Sequence, residues 1–169
     1  MTEAPAWVTI GVYGFTEPAF FEALQQAGVD AFCDIRWRRG VRGSEYAFVN
    51  SARLQRRLAE LGIRYRHFRE LAPAPELRRR QTQADAAAGI LKRQRTVLGE
   101  TFVAGYEEQN LRGFDSGAFL AQLPEETVVV ALFCVERDAA ACHRSLLAAR
   151  LERDLGVRVK HLVPGPAAA

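Results

Sequence analysis

The sequence predicts an α/β fold in which a mostly parallel sheet lies between two layers of helices. Short apolar runs alternate along the chain with stretches whose apolar residues recur every three or four positions. Such an alternation, joined by short connections, is typical of a parallel sheet covered on both faces. No GxGxxG motif occurs, so the predicted architecture is Rossmann-like but without a dinucleotide-binding fingerprint.

The first half of the chain contains three predicted strands and two helices. Thr16 can cap the first helix and Asn50 the second, because their side-chain oxygens can accept a free backbone N–H. Gly28 and Gly62 end the two helices, since glycine adopts the left-handed conformation readily. The three strands are predicted near residues 8–12, 31–35 and 63–67.

The second half is predicted to add several helices and two strands. Residues 76–111 are rich in helix formers, and the most apolar run, 128–134, is typical of a strand buried on both faces. The last helix, about 139–155, has Asp138 as a candidate N-cap or begins nearer Cys142. A short helix is expected at 119–123, a last strand at 157–162, a single domain over 1–163 and a flexible tail over 164–169.

Composition favours an ordinary globular protein. The chain has 169 residues, of which 49% are hydrophobic and 25% charged. It contains neither a run of 18 apolar residues nor a secretory signal pattern, so we expect a cytoplasmic protein without a membrane partner. Its three cysteines are too few for a disulfide framework and are expected to be reduced. Nothing in the sequence predicts the oligomeric state.

The charge is distributed unevenly along the chain. Between Arg36 and Arg95 there are 16 Lys and Arg residues against 5 Asp and Glu, whereas the rest of the chain is acidic. Arginine makes up nearly all of the basic residues and suits bidentate contacts with phosphate or carboxylate. A basic segment of this kind favours an anionic partner.

The polar residues that follow the strands are the candidate site. In a parallel sheet, the loops after the strands meet at one edge, which would gather residues 11–15, 34–42, 67–71 and 134–144 around one crevice. Asp34 and Arg36 can pair by strand alternation, and a cysteine, a histidine and an arginine lie near the start of the last helix. The catalytic candidates are Asp34, Glu136, Cys142 and His143, and the anion-binding candidates are Gly11, Arg36 and Arg144.

Other motifs limit the chemistry. GxxxxGK[ST], GxSxG, HExxH and CxxC are all missing, which argues against P-loop, serine-hydrolase, zincin and thioredoxin-type sites. The gap between Cys134 and Cys142 is not a usual zinc spacing, so neither a metal nor another cofactor is expected. The basic and aromatic loop after the second strand favours nucleic acid, with candidate contacts from Trp37, Arg38, Arg39, Arg42, Arg78, Arg79 and Arg80.

Several motifs in this order resemble the domain-of-unknown-function family 488. They are Thr9-Ile10-Gly11, Asp34-Ile35-Arg36, Gly62-Ile63-Arg64-Tyr65 with His67 and Leu71, Cys134-Val135-Glu136, and Cys142-His143-Arg144. The resemblance implies an α/β fold and a prokaryotic, cytoplasmic protein, and it implies no activity. Two features differ from many members: Val12 stands where they carry histidine, and the loop after Arg36 is rich in arginine.

Three functions are compatible with these residues. The first is an enzyme acting on a phosphorylated or nucleic-acid substrate, in which arginines bind the anion and acidic groups or His143 transfer protons. The second is a non-catalytic nucleic-acid-binding module that uses segment 36–95. The third treats the polar cluster as architecture that satisfies buried groups.

Overall fold

The computed structural model describes residues 3–91 and 94–166, and these residues contain five strands and six helices. A π-helical turn, Glu107–Leu111, continues one helix, and short 3-10 turns lie at Ala47–Val49, Arg69–Leu71 and Ala139–Ala141. In chain order the elements are β1 (Ala6–Ile10), α1 (Glu17–Gln26), β2 (Ala31–Asp34), α2 (Ser51–Glu60), β3 (Arg64–His67), α3 (Pro75–Ala87), α4 (Glu100–Tyr106), α5 (Ser116–Ala121), β4 (Val129–Phe133), α6 (His143–Leu155) and β5 (Val159–Leu162).

The strands form one sheet in the order β3-β2-β4-β1-β5. Every neighbouring pair is parallel, which confirms the predicted mostly parallel sheet. β4 lies at the centre of this order, and all five of its residues are buried, as its continuous apolar run predicts. The carboxyl ends of all five strands therefore lie at one edge.

Helices cover both faces of the sheet. Phe133 of β4 pairs with Ile10 of β1, and on their face Phe133 contacts Phe20 of α1 with ring centroids 5.7 Å apart. Trp7 points to the opposite face, because side chains alternate along a strand, and its ring lies 6.0 Å from that of Phe119 in α5. The predicted three-layer α/β fold is confirmed.

The stretch 76–111, predicted to be helical from its composition, is helical only in part. α3 ends at Ala87, and Gly89 follows with a φ of +71°. α4 begins only at Glu100, and before it the N–H of Leu98 donates to the carbonyl of Ala140 at 3.1 Å. The described part of the connecting segment thus pairs with a distant loop rather than with a neighbouring helical turn.

The helix boundaries show which candidate caps act. α6 begins at His143, the later of the two predicted starts, and Cys142 is its extended N-cap residue. Asn50 stands at the N-cap of α2, but its side chain accepts the N–H of Val41 at 2.7 Å instead of capping the helix. Its oxygen therefore organises the arginine-rich loop.

Among the described residues, none of the helices has the length and apolar character required to cross a lipid bilayer. The segment predicted to be a tail begins with Pro164, which is buried beside Gly14. Packing therefore extends at least to Pro164, while the tail positions 167–169 lie outside the described residues.

Candidate functional site

A cavity of about 870 Å³ lies at the carboxyl edge of the sheet. Its walls come from the segments after β1, β2 and β4, from α3 and the chain before α4, and from the start of α6. Three of the four segments predicted to share a crevice therefore do so. The fourth, 67–71, contributes no lining residue, whereas Pro73 and Pro75 just beyond it do.

Asp34 and Arg36 form a buried ion pair at the end of β2. The Arg36 Nε and Nη2 atoms donate to the two carboxylate oxygens at 2.9 and 2.8 Å, and the Tyr65 hydroxyl donates to Oδ2 at 2.7 Å. Burial and the neighbouring Asp34 carboxylate raise the pKa of Tyr65, which keeps this phenol a donor. Asp34 is fully buried and does not line the cavity, so its role is to hold the Arg36 guanidinium in place.

Arg36 lines the cavity although only 4% of its surface is exposed. Its guanidinium lies over the Phe133 ring, 4.7 Å from the centroid, and Nη2 also donates to the Val49 carbonyl at 3.0 Å. Nη1 is buried and has no hydrogen-bond partner among the described residues. An unpaired buried donor costs about 1–3 kcal/mol, so an incoming oxygen at this atom would remove a penalty.

The cavity is strongly cationic. Arginines from the loop after β2 and from the start of α3 both line it, so these two parts of the basic segment meet at one surface. Within residues 3–91 and 94–166, Glu136 is the one residue that lines it with a carboxylate. In the part of the chain that the structure describes, the lining arginines are Arg36, Arg38, Arg42, Arg78, Arg79 and Arg95.

The predicted nucleic-acid contacts differ in their surroundings. Trp37 lines the cavity and is half-buried beneath the Arg69 guanidinium, 4.1 Å from its ring centroid. Arg39 and Arg80 are exposed and do not line the cavity, and Arg80 pairs with Glu76 at 3.4 Å. The remaining four arginines of this prediction all line the cavity, and Arg79 also pairs with Glu76.

Glu136 belongs to a buried ion network centred on Arg95. The Arg95 Nη2 atom lies 3.3 Å from Glu136 Oε1, and Nη1 lies 2.8 Å from Asp85 Oδ2 on α3. Arg95 Nη2 also donates to the Ala141 carbonyl at 3.0 Å. Gln81 donates to Asp85 at 2.8 Å. The network fastens α3 to the loop between β4 and α6.

Gly11 and Arg144, two predicted anion-binding residues, hold the loop after β4 against β1. The three guanidinium nitrogens of Arg144 donate to Thr9 Oγ1 and to the carbonyls of Glu136 and Arg137, at 3.2, 2.7 and 3.1 Å. Arg144 is fully buried. A Cβ on Gly11 would lie 1.7 Å from the Glu136 carbonyl oxygen. Neither residue lines the cavity, so the arrangement gives both a packing role.

Two cysteines and a histidine meet at the cavity wall. The sulfur atoms of Cys134 and Cys142 lie 3.9 and 3.7 Å from Nδ1 of His143, and all three residues line the cavity. On the far side of the ring, Nε2 lies 2.9 Å from the Ile35 carbonyl oxygen. A carbonyl accepts only, so Nε2 carries a proton, and Nδ1 faces the two sulfurs.

The two thiols are electrostatically unequal. The hydrogen bond to Cys142, together with burial, raises the pKa of Cys134 to about 12. Burial works against ionisation of Cys142 as well, but the Cys134 hydrogen bond and the nearby Arg144 charge outweigh it and lower the pKa of Cys142 to about 7. Cys142 is therefore the thiol that ionises more easily, and Cys134 donates to it.

Sequence reasoning missed Arg95 and Tyr65 as members of this region. Arg95 lies in a segment without hydrophobic periodicity, so only its charge was a signal. Tyr65 belongs to one of the motifs quoted above but is not among the candidate site residues, and its contact with Asp34 follows from the register in which Phe32 pairs with Tyr65. Strand alternation then places Tyr65 on the same face as Asp34.

Comparison with known proteins gives one result. The family described as "Domain of unknown function DUF488" matches residues 18–151, which is most of the chain. No curated protein and no solved structure matches. The match agrees with the resemblance carried by the motifs around Asp34, Cys134 and Cys142. The chain belongs to the domain-of-unknown-function family DUF488.

Proposed function

We propose that this protein is an enzyme acting on a phosphorylated substrate held in the arginine-lined cavity. The observation that carries the proposal is Arg36, whose buried Nη1 lacks a partner among the described residues while the residue itself lines the cavity. Phosphate oxygens are acceptors that a guanidinium binds well. The rigid pairing with Asp34 fixes the orientation of that donor before any ligand arrives.

Charge and size support a substrate of about nucleotide dimensions. The cavity falls within the roughly 300–1,000 Å³ of typical small-molecule sites. Arg38 and Arg42 stand exposed at its mouth and Arg78 on its α3 wall, so a phosphorylated molecule entering it meets positive charge on two sides. Such a lining attracts anions, because solvent screens its positive charges poorly inside a narrow cleft.

The reacting groups in this proposal are those that line the same cavity. Glu136 carries the carboxylate there and is held by Arg95, and Cys134, Cys142 and His143 form the adjacent cluster. Arginines that neutralise developing charge and a carboxylate that moves a proton are the usual components of phosphoryl chemistry. Asp34 serves as a positioning residue for Arg36.

Binding tests this proposal most directly. Thermal shift and calorimetry with inorganic phosphate, pyrophosphate and adenosine monophosphate should show saturable binding, and a molybdate assay should show phosphate release from a panel of phosphorylated compounds. Arg36→Lys keeps a positive charge but removes the guanidinium fork, so affinity should fall about tenfold, the loss expected for one charged hydrogen bond.

The rim arginines are tested with a matched control. Arg38→Gln/Arg42→Gln should weaken phosphate binding roughly fivefold, since exposed charge pairs contribute about 0.5 kcal/mol each. Arg56→Gln/Arg158→Gln removes the same charge from exposed positions outside the lining and should leave affinity unchanged. Equal losses in both double variants, or no binding of any probe, would refute the assignment.

The alternative is a non-catalytic nucleic-acid-binding module. It is favoured by the exposed arginines Arg38, Arg39 and Arg42 in one loop beside Trp37. Anisotropy with single-stranded and duplex oligonucleotides at about 50 and 200 mM salt separates the two functions. Tight, steeply salt-dependent oligonucleotide binding without phosphate release would favour the module.

A further inference from the structure

We propose that Cys134, Cys142 and His143 bind a zinc ion at the wall of the cavity. Among the described residues, these three bring their potential ligand atoms within 4.8 Å of one another. Thiolate and imidazole are the ligands that zinc prefers in proteins. The binding site stands on its own geometry, and only its use in catalysis rests on the proposed function.

The distances fit tetrahedral coordination. With Zn–S about 2.3 Å and Zn–N about 2.0 Å, a nitrogen and a sulfur bound to one tetrahedral zinc lie about 3.5 Å apart. The observed separations from His143 Nδ1 are 3.7 Å to Cys142 and 3.9 Å to Cys134. The two sulfurs lie within 4.8 Å of each other, so binding one ion requires the three side chains to close in around it.

The histidine is already in the form that a metal needs. Its Nε2 faces the Ile35 carbonyl at 2.9 Å, which fixes the proton on that nitrogen and leaves Nδ1 free to coordinate. Metal-ligating histidines usually have such an acceptor behind them, because it orients the ring and raises its basicity. His143 is only 5% exposed, and its Nδ1 faces two thiols, which is not the setting of a hydrogen-bonded surface residue.

The backbone explains how an unusual sequence spacing produces the cluster. Cys134 directly follows β4, and the 3-10 turn at Ala139–Ala141 brings the chain back to the same edge. Cys142 is extended and His143 is the first helical residue, so adjacent side chains can converge on one point. The long gap between the cysteines, which argues against zinc at the level of sequence, is the length of this returning loop.

Three protein ligands and a cavity favour an open site. Catalytic zinc sites have three protein ligands and leave the fourth position to water or substrate, whereas structural sites have four. Glu136, an acidic lining residue two positions after Cys134, pairs with Arg95. A substrate oxygen bound by the lining arginines could then take the fourth position, where zinc would polarise it.

Metal content and a cobalt spectrum test the proposal. The full chain, purified with a non-thiol reductant and stripped with a chelator, should take up one zinc per chain. Cobalt(II) in its place should give a sulfur-to-cobalt charge-transfer band and the intense visible bands of a tetrahedral site. X-ray absorption at the zinc edge should show two sulfur neighbours. No uptake, or cobalt spectra without thiolate bands, would overturn it.

Variants assign the ligands. Cys134→Ser, Cys142→Ser and His143→Ala should each lower zinc affinity by more than the roughly 10–100-fold that loss of a second-shell partner costs. Cys33→Ser is the matched control, because Cys33 is a buried cysteine on β2 outside the cluster, and it should bind as the wild type does. If Cys33→Ser loses as much zinc as Cys142→Ser, the assignment is wrong.

The two proposals fail separately. Arg38→Gln/Arg42→Gln should retain the wild-type cobalt spectrum, since neither arginine contributes to the cluster. Thiolate bands without phosphate binding would leave the zinc site standing and remove the proposed function. Phosphate binding with no metal uptake would do the reverse. Should a ligand variant unfold, the wild-type cobalt spectrum and sulfur count still decide.

Discussion

The ion pair of Asp34 and Arg36 gives a sharp test of how the site is built. Asp34→Asn keeps the size of the side chain but removes its charge. The Asp34 carboxylate accepts three hydrogen bonds from Arg36, at 3.2, 2.9 and 2.8 Å, and one from Tyr65 at 2.7 Å. Arg36 would stay charged and buried without its counterion.

The expected loss is large because the pair is almost fully enclosed. Breaking a buried ion pair costs about 3–5 kcal/mol, and the remaining amide oxygen of Asn can recover part of it. For a chain of this length, each 1 kcal/mol lost from the free energy of unfolding lowers Tm by roughly 2–4 °C. Asp34→Asn should therefore lower the free energy of unfolding by about 3 kcal/mol in urea denaturation followed by circular dichroism.

A double-mutant cycle isolates the pair from other effects of substitution. Arg36→Met removes the buried charge, so the double variant Asp34→Asn/Arg36→Met should lose less stability than the sum of the two single variants, by about 2 kcal/mol. Tyr65→Phe removes one hydrogen bond to a charged group and should cost about 1.5 kcal/mol. A loss below about 1 kcal/mol for Asp34→Asn, or additive single losses, would refute this account.

Three further substitutions test the packing and the ion network that hold the sheet and its loops together. Gly11→Ala should lower the free energy of unfolding, measured by urea denaturation, by about 3 kcal/mol or more, because its Cβ would lie 1.7 Å from the Glu136 carbonyl oxygen. Near-wild-type stability would contradict the packing role of Gly11. Arg95→Met should lower the free energy of unfolding by about 3 kcal/mol, since it leaves the carboxylates of Asp85 and Glu136 without their shared cation. Hydrogen exchange in α3 should become faster, and unchanged exchange there would contradict the role of Arg95. Trp7→Phe should change the free energy of unfolding by less than about 1 kcal/mol. The buried indole N–H has no partner among the described residues, so removing it compensates for the contact area that the smaller ring loses. A loss above about 3 kcal/mol would show that no such compensation occurs.

The sequence predicts the fold well because its signals are local. Residues 128–134 show a continuous apolar run, and the glycines at 28 and 62 mark helix ends that the structure reproduces with positive φ. Asp34 and Arg36 pair because strand alternation alone places them together. Each of these features depends on residues close together in the chain.

The features that sequence could not predict depend on long-range packing. Arg144 has the charge of an anion ligand, but its burial against the carbonyls of Glu136 and Arg137 depends on how α6 docks on β1. Gly11 looks like part of a phosphate-binding loop, yet the close backbone crossing beside it exists only once the sheet is assembled. The convergence of Cys134 and His143 likewise requires the returning loop before α6.

The family match and the sheet order together show where the chain can be truncated without exposing the central strand. The matched residues begin at 18 and end at 151, so β1 and β5 both lie outside them. β1 is the inner strand that joins β4 to β5. A fragment trimmed to 18–151 would turn the wholly buried β4 into an unprotected edge strand, an arrangement prone to aggregation. Boundaries for a separately folding unit should therefore extend from residue 6 to residue 162 or beyond.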